Sequence, residues 1–128
     1  ADDAEFQKRF AAVKRENKVR LAQLIQSRMG LKLDPSAMFD IQVKRIHEYK
    51  RQFLNILGLI YRYKKMKEMT PEERKAKYVP RVCLFGGKAF ATYVQAKRIV
   101  KLIVDVGATV NNDPEIGDLL KVRYSCVF

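Results

Sequence analysis

Long apolar runs are missing from this chain. No stretch approaches the roughly 18 consecutive apolar residues that a membrane-crossing helix needs, so no such helix is expected. Histidine occurs once, at His47, and cysteine twice, at Cys83 and Cys126. One imidazole and two thiols without ligand spacing do not make a metal site. The cysteines stand far apart, each in an apolar run, and read as buried free thiols of a reducing compartment, with a disulfide left open. Acidic residues are scarce, 14 against 26 Lys and Arg. No carboxylate pair stands out as acid and base, and no nucleophile motif occurs. Glu48, Asp113, Glu115 and Asp118 read first as helix-start and capping residues. The opening Ala1-Asp2-Asp3-Ala4-Glu5 lacks the basic-then-apolar order of a secretory signal and the Arg/Ser-rich look of a transit peptide. It also lacks an initiator Met, so the chain reads as cut, processed or cloned from something longer.

What is present suits a folded core. Hydrophobic residues make up 48% of 128 positions, enough for one domain at most. The net charge of +12 points to an anionic partner, nucleic acid being the first guess. A charge run also arises as a plain solvated face, so the position of the charges decides.

Residues 3–29 read as helical, with apolar residues recurring at Phe6, Phe10, Val13, Leu21, Leu24 and Ile25. Asn17 is placed to cap a second helix and Gly30 to stop it. Asp34-Pro35-Ser36 is a turn. A short strand over 38–43 follows, then a long helix over 48–69 whose broad apolar set predicts cover around most of its girth. Thr70-Pro71-Glu72-Glu73 is a capping-box start, and Pro80 ends that short helix. Arg81-Val82-Cys83-Leu84-Phe85 suits a buried parallel strand. Gly86-Gly87 turns the chain into a helix over 92–106, with Tyr93, Ala96, Ile99, Val100 and Ile103 inward and Gly107 just past its end. Asp113-Pro114 opens a short helical turn that Gly117 stops. Leu120, Val122, Tyr124, Cys126 and Phe128 share one face of a last strand.

This order predicts an α/β fold, a Rossmann-like parallel sheet flanked by helices. Strands 39–43, 81–85 and 120–126 are expected as parallel neighbours, joined by right-handed crossovers through 48–68 and 92–106. Residues 1–37 form a helical lead-in and 38–128 the βαβ core. Three strands leave open edges, as a piece of a larger domain would.

The stretch Val43-Lys44-Arg45-Ile46-His47-Glu48-Tyr49-Lys50-Arg51 carries the most chemistry. It falls where a strand ends and a helix begins, and open α/β sheets bind ligands outside the carboxyl ends of their strands. Free N–H groups at a helix start favour anions. Arg45 is able to grip a phosphate with two parallel N–H bonds, and Lys44 and Lys50 add point charges. A phosphate site and a basic, solvated helix start both fit. The glycines of Gly86-Gly87-Lys88 allow close backbone approach to a ligand and Lys88 adds charge, but the stretch matches neither nucleotide-binding glycine pattern, so an ordinary strand–helix turn is the better bare reading. His47 reads as a hydrogen-bonding rather than a catalytic histidine. Tyr61 and Tyr63 with their lysines suit either a nucleic-acid surface or core and rim.

Phe39-Asp40-Ile41-Gln42-Val43-Lys44-Arg45-Ile46-His47-Glu48-Tyr49-Lys50-Arg51-Gln52 resembles the signature of α-glucan phosphorylases. Phe85-Gly86-Gly87-Lys88-Ala89-Phe90-Ala91-Thr92-Tyr93, with Ala96-Lys97, is similar to a second block of that family. Residues 111–118, with Asp113-Pro114 and Gly117-Asp118, are similar to a third. The resemblance runs from Asn17 to Val122, and residues 61–75 look like the plant plastid form. Phe53 stands where leucine is usual, Asn112 replaces a common histidine, and residues 123–128 match poorly.

The resemblance implies a retaining glycosyltransferase of the two-Rossmann-domain (GT-B) type, of which this chain is part of the C-terminal, cofactor-side domain. Its reaction is reversible phosphorolysis of terminal α-1,4-glucosyl units of starch, glycogen or maltodextrin to glucose 1-phosphate. It implies pyridoxal 5′-phosphate, held as a Schiff base by a lysine beyond this chain, with the cofactor phosphate beside the substrate phosphate. By matching positions, Arg45 and Lys50 bind the substrate phosphate and Lys44 faces the cofactor phosphate. Val43 lines the cofactor pocket, and His47 and Tyr93 sit at the active-site entrance. The partners implied are α-glucan and inorganic phosphate or glucose 1-phosphate, with no specific nucleic acid, no membrane, and a homodimer for the full-length form. The compartment implied is the plastid, with the cytoplasm as alternative. Two other readings stand beside this one, a basic α/β module binding polyanions or nucleic acid, and a structural or storage-type fragment. The fragment alone is expected to be inactive.

Overall fold

The computed structural model describes residues 2–126. The chain divides into two compact units, Ala1–Ala37 and Met38–Phe128. In the first, helix α1 runs unbroken over Ala4–Met29. Asp3 caps it by accepting from the Phe6 N–H at 3.0 Å. Gly30, left-handed at φ 67°, ends it by donating to the Gln26 carbonyl at 3.0 Å. No second helix starts at Asn17. Asparagine costs a helix interior only a few tenths of a kcal/mol, and good helix formers surround it, with Glu16 and Arg20 paired one turn apart. The Asp34 side chain then accepts from the Ser36 N–H at 2.8 Å and closes the expected turn.

The second unit is built on three parallel strands, β1 (Met38–Val43), β2 (Arg81–Gly86) and β3 (Leu120–Ser125), in the order β1-β2-β3. Met38 lies opposite Arg81, and Arg81 opposite Leu120. β2 is central and buried from Val82 to Gly86, which is why its sequence is apolar without alternation. Helix α2 (Gln52–Lys67) packs beside helix α4 (Val94–Asn111), and α4 against β3. Their core joins Ile56, Ile99 and Ile103 to Cys83, Phe85 and Val122.

Several boundaries differ from the sequence reading. The helix expected from Glu48 begins at Gln52. Before it, Glu48–Lys50 form a 3-10 turn, and Arg51 adopts φ 60°, which no continuous helix tolerates. Phe53, Leu54, Leu57 and Tyr61 remain exposed on α2, so its girth is only half covered. Helix α3 (Pro71–Lys77) has its capping box, with Glu73 N–H to Thr70 Oγ1 at 3.3 Å and Thr70 N–H to Glu73 Oε2 at 2.9 Å. It stops at an extended Tyr78, short of Pro80. Gly107 is no terminus. It lies buried inside α4, where a Cβ would stand 2.8 Å from the Val122 carbonyl oxygen. Asn111, one turn on, donates to that oxygen at 2.8 Å and accepts from the Val122 N–H at 3.0 Å. Gly117, left-handed at φ 52°, closes the turn that Asp113 opens by donating to the Asp113 carbonyl at 3.0 Å, and a separate 3-10 turn starts from it. β3 ends at Ser125 because its neighbour β2 turns away after Gly86. Cys126 is therefore exposed, against the reading of two buried thiols, whereas burial pushes the Cys83 thiol up to about 12. Phe128 lies outside the described residues.

Candidate functional site

The first two strands deliver their following loops to the same end of the sheet. After β1, the Lys44 N–H continues the ladder to the Gly86 carbonyl at 2.9 Å, and the Ile46 N–H donates to Lys88 at 3.1 Å. The close approach requires Gly87. Its φ is 149°, and a Cβ there would stand 2.1 Å from the Lys44 carbonyl oxygen. The Tyr124 hydroxyl donates to the Gly87 carbonyl at 2.5 Å and holds the turn from the β3 side. The Gly86-Gly87-Lys88 turn thus has a specific job that its sequence alone left as ordinary.

The loop over 44–51 then folds back on itself. The His47 ring nitrogen accepts a long bond from the Tyr49 N–H, 3.4 Å, and the Lys50 N–H donates to the His47 carbonyl at 3.0 Å. The Tyr93 hydroxyl donates to Glu48 Oε2 at 2.7 Å and accepts from the Glu48 N–H at 3.2 Å. That carboxylate, above all, raises the Tyr93 phenol above its ordinary pKa. The His47 ring centre lies 4.6 Å from Tyr49 and 5.1 Å from Tyr93.

Between this loop and residues 88–93 lies a pocket of about 450 Å³, with Arg45, His47, Tyr49, Lys50, Lys88 and Tyr93 among its walls. Of the residues singled out from sequence, Arg45, Lys50, His47 and Tyr93 meet here. Val43 and Lys44 do not line the pocket. They stand exposed at the end of β1. Among the described residues, no acidic one lines the pocket. Glu48, the nearest in sequence, is engaged by Tyr93. Among the described residues, no ion pair engages Lys44, Arg45, Lys50 or Lys88. Lys50 Nζ rests 5.5 Å over the Tyr49 ring. Three cations facing one cavity without a carboxylate suit an anionic ligand, and the tyrosine and histidine rings suit a partly apolar one. No cluster of His, Cys, Asp and Glu able to hold a metal ion occurs among the described residues. Nor is any described helix long and apolar enough to cross a membrane.

The wall residues Tyr49 and Phe90 are not singled out as such by the sequence, whereas Lys88 reads there as a weak signal of added charge at an otherwise ordinary turn. Nor does the sequence single out Gln42, Gln52 and Asn55, whose side-chain amides bond the loop and one another from behind. Lys88 had a visible signal, a cation directly after a strand-ending glycine pair. The amides had none, because their partners are main-chain groups of the loop and, for Asn55, the Gln42 amide oxygen.

The carbohydrate phosphorylase family profile matches residues 1–127. The chloroplastic/amyloplastic alpha-1,4 glucan phosphorylase L isozyme of Ipomoea batatas is 69% identical over 97% of this chain and 13% of its own length. The L-2 isozyme of Solanum tuberosum is 68% identical over the same shares. The cytosolic alpha-glucan phosphorylase 2 of Arabidopsis thaliana is 62% identical over 97% of this chain and 15% of its own length. The chain thus spans about an eighth of the length of the plastid relatives it matches.

Proposed function

The chain belongs to the carbohydrate phosphorylase family, and on that premise we propose that it is the phosphate-handling part of a larger α-1,4-glucan phosphorylase. The whole protein would cleave terminal glucosyl units of starch, glycogen or maltodextrin with inorganic phosphate to give glucose 1-phosphate, and run the reverse reaction. The observation that carries this reading is the cation-lined pocket at the carboxyl end of the sheet, where Arg45, Lys50 and Lys88 form no ion pair among the described residues. Arg45 and Lys50 would hold the substrate phosphate, Arg45 by two parallel N–H bonds. Such donors, fixed before the substrate arrives, cost no reorganisation when charge builds up in the transition state. His47 and Tyr93 would border the entrance, with Tyr93 fixed by Glu48.

The family is generally dependent on pyridoxal phosphate. The residues of this chain fit the phosphate end of that group. Lys44 is an exposed cation without a carboxylate partner among the described residues, just past the strand whose Val43 is also exposed. Lys44 would neutralise the cofactor phosphate and Val43 would touch the cofactor's apolar part. When bound, the cofactor would supply a second phosphate beside the substrate phosphate. Two facing phosphates need cations, and this junction supplies them. The plastid names of several relatives favour the plastid as compartment, and the cytosolic relative keeps the cytoplasm as alternative. The full-length form would be a homodimer.

The test is an assay of glucose 1-phosphate formed from maltoheptaose and phosphate by two preparations. The full-length polypeptide containing this segment is expected to turn over, and the 128-residue chain with added pyridoxal phosphate is expected not to. A folded, cofactor-loaded full-length protein without phosphorolysis would contradict the proposal. So would turnover by the short chain at the full-length rate.

A further inference from the structure

We propose that Gln42 and Gln52 are positioning residues that set where the cations of Arg45 and Lys50 stand, an inference that rests on reading 44–51 as the substrate-phosphate loop. Gln52 is fully buried, at 0% exposure, in the first turn of α2. A buried amide is costly unless it is hydrogen-bonded, and both ends of this one are spent on the loop. Its Nε2 donates to the Arg45 carbonyl at 3.3 Å, and its Oε1 accepts from the His47 N–H at 3.4 Å. Gln42, on β1, reaches the other end of the loop, where its Nε2 donates to the Lys50 carbonyl at 3.0 Å. Its Oε1 accepts from Asn55 Nδ2 at 2.8 Å, so the amide has one orientation only. The two glutamines therefore hold the main chain at two of the three residues whose side chains carry charge into the pocket.

The sequence around them fits this role. Arg51, next to Lys50, is left-handed at φ 60°. A non-glycine residue costs about 1 kcal/mol or more there, so the turn that presents Lys50 needs outside support. Its own bonds, Lys50 to His47 and Arg51 to Glu48, lie inside the turn. Gln42 ties the turn to the sheet, and Gln52 ties the far side of the loop to α2. Both supports are neutral. A carboxylate in either place would attract the neighbouring cations and compete with phosphate for them. An amide fixes the backbone and leaves the charges free.

The experiment uses the full-length enzyme with Gln42→Met and Gln52→Met, which keep side-chain volume and lose the bonds. Each is expected to raise KM for inorganic phosphate by about ten-fold, because small displacements of a binding group are expensive. KM for maltoheptaose should stay within about two-fold, a split that general loss of structure would not produce. Gln52→Met should add almost nothing on an Arg45→Ala background, and Gln42→Met almost nothing on Lys50→Ala, since each acts through that cation. Gln42 is only partly buried, so the neutral Gln42→Met decides the matter if Gln52→Met does not fold. Unchanged phosphate KM in the amide variants, with Arg45→Ala impaired, overturns the positioning role and leaves the phosphate loop standing. Equal losses for phosphate and glucan, additive with Arg45→Ala, overturn it in favour of plain stability. If Arg45→Ala itself keeps normal phosphate kinetics, the underlying loop reading falls and takes this inference with it.

Discussion

Asp113 accepts from the Tyr63 hydroxyl at 2.6 Å, and Lys67 Nζ stands 3.1 Å from the same oxygen. The Tyr63 bond, helped by Lys67, holds the Asp113 carboxyl down to about 2, and the same bond pushes the Tyr63 phenol up. A depressed carboxyl contributes stability above its ordinary pKa of 3.8 and loses it as pH falls toward about 2. A raised phenol contributes stability below its ordinary 10.0 and loses it as pH climbs past its folded value. Tyr63→Phe removes the shared bond. In that variant the Asp113 carboxyl, followed by carbon NMR, is expected to titrate well above 2 and nearer 3.8. The acid arm of its stability profile should flatten over that window. A titration still at about 2 would show that Tyr63 is not the cause. From sequence, Asp113 reads as a turn residue, and it is one, accepting from the Glu115 N–H at 2.9 Å. Its second role was illegible because Tyr63 lies 50 residues away.

At the scale of elements, local signals served where the controlling contacts are local. The Thr70–Glu73 capping box, the Asp34 turn and the buried central strand appear as their sequences indicate. Gly107 went the other way because its reason is tertiary. Helix propensity favours alanine over glycine by roughly 1 kcal/mol, and by that measure Gly107→Ala should stabilise α4. The structure predicts the opposite sign. The added Cβ would meet the Val122 backbone at 2.8 Å, so α4 and β3 must separate and strain the Asn111 bonds to that residue. Overpacking of this kind costs about 1–3 kcal/mol. We expect a net loss of about 1–2 kcal/mol in urea unfolding after the propensity gain. A rise in stability would mean that the helix and strand sit farther apart than described. Arg74 has a similar lesson. It is 4% exposed and donates to the carbonyls of Met66, Met69 and Glu115, so a charge in a short basic helix proves to be a buried brace.

On the scale of the whole molecule, the alternation of helices and strands was enough to predict three parallel neighbours in chain order. The signature block was enough to bring Arg45, Lys50 and His47 to one place, because residues near in sequence after a strand stay near in space, while Tyr93 arrives from the segment that follows β2. What sequence did not reveal was support from a distance, such as the amides of Gln42 and Gln52 and the Gly87 contact with Lys44. The exposed Phe53, Leu54, Leu57 and Tyr61 of α2, and Met38, Ile41 and Val43 of β1, are the kind of surface a larger protein covers. That agrees with a chain spanning 13% of its plastid relatives. On the proposed reading the +12 charge has a local meaning, its functional share being the handful of cations around one pocket. The most direct measurement is steady-state phosphorolysis by the full-length enzyme carrying Arg45→Ala, with phosphate and maltoheptaose varied separately. Loss of an oriented charged donor is worth on the order of 2–4 kcal/mol. We therefore predict that kcat/KM for phosphate falls by roughly 30- to 1,000-fold while glucan binding holds. Near-normal phosphate kinetics in that variant would contradict the assignment of this junction.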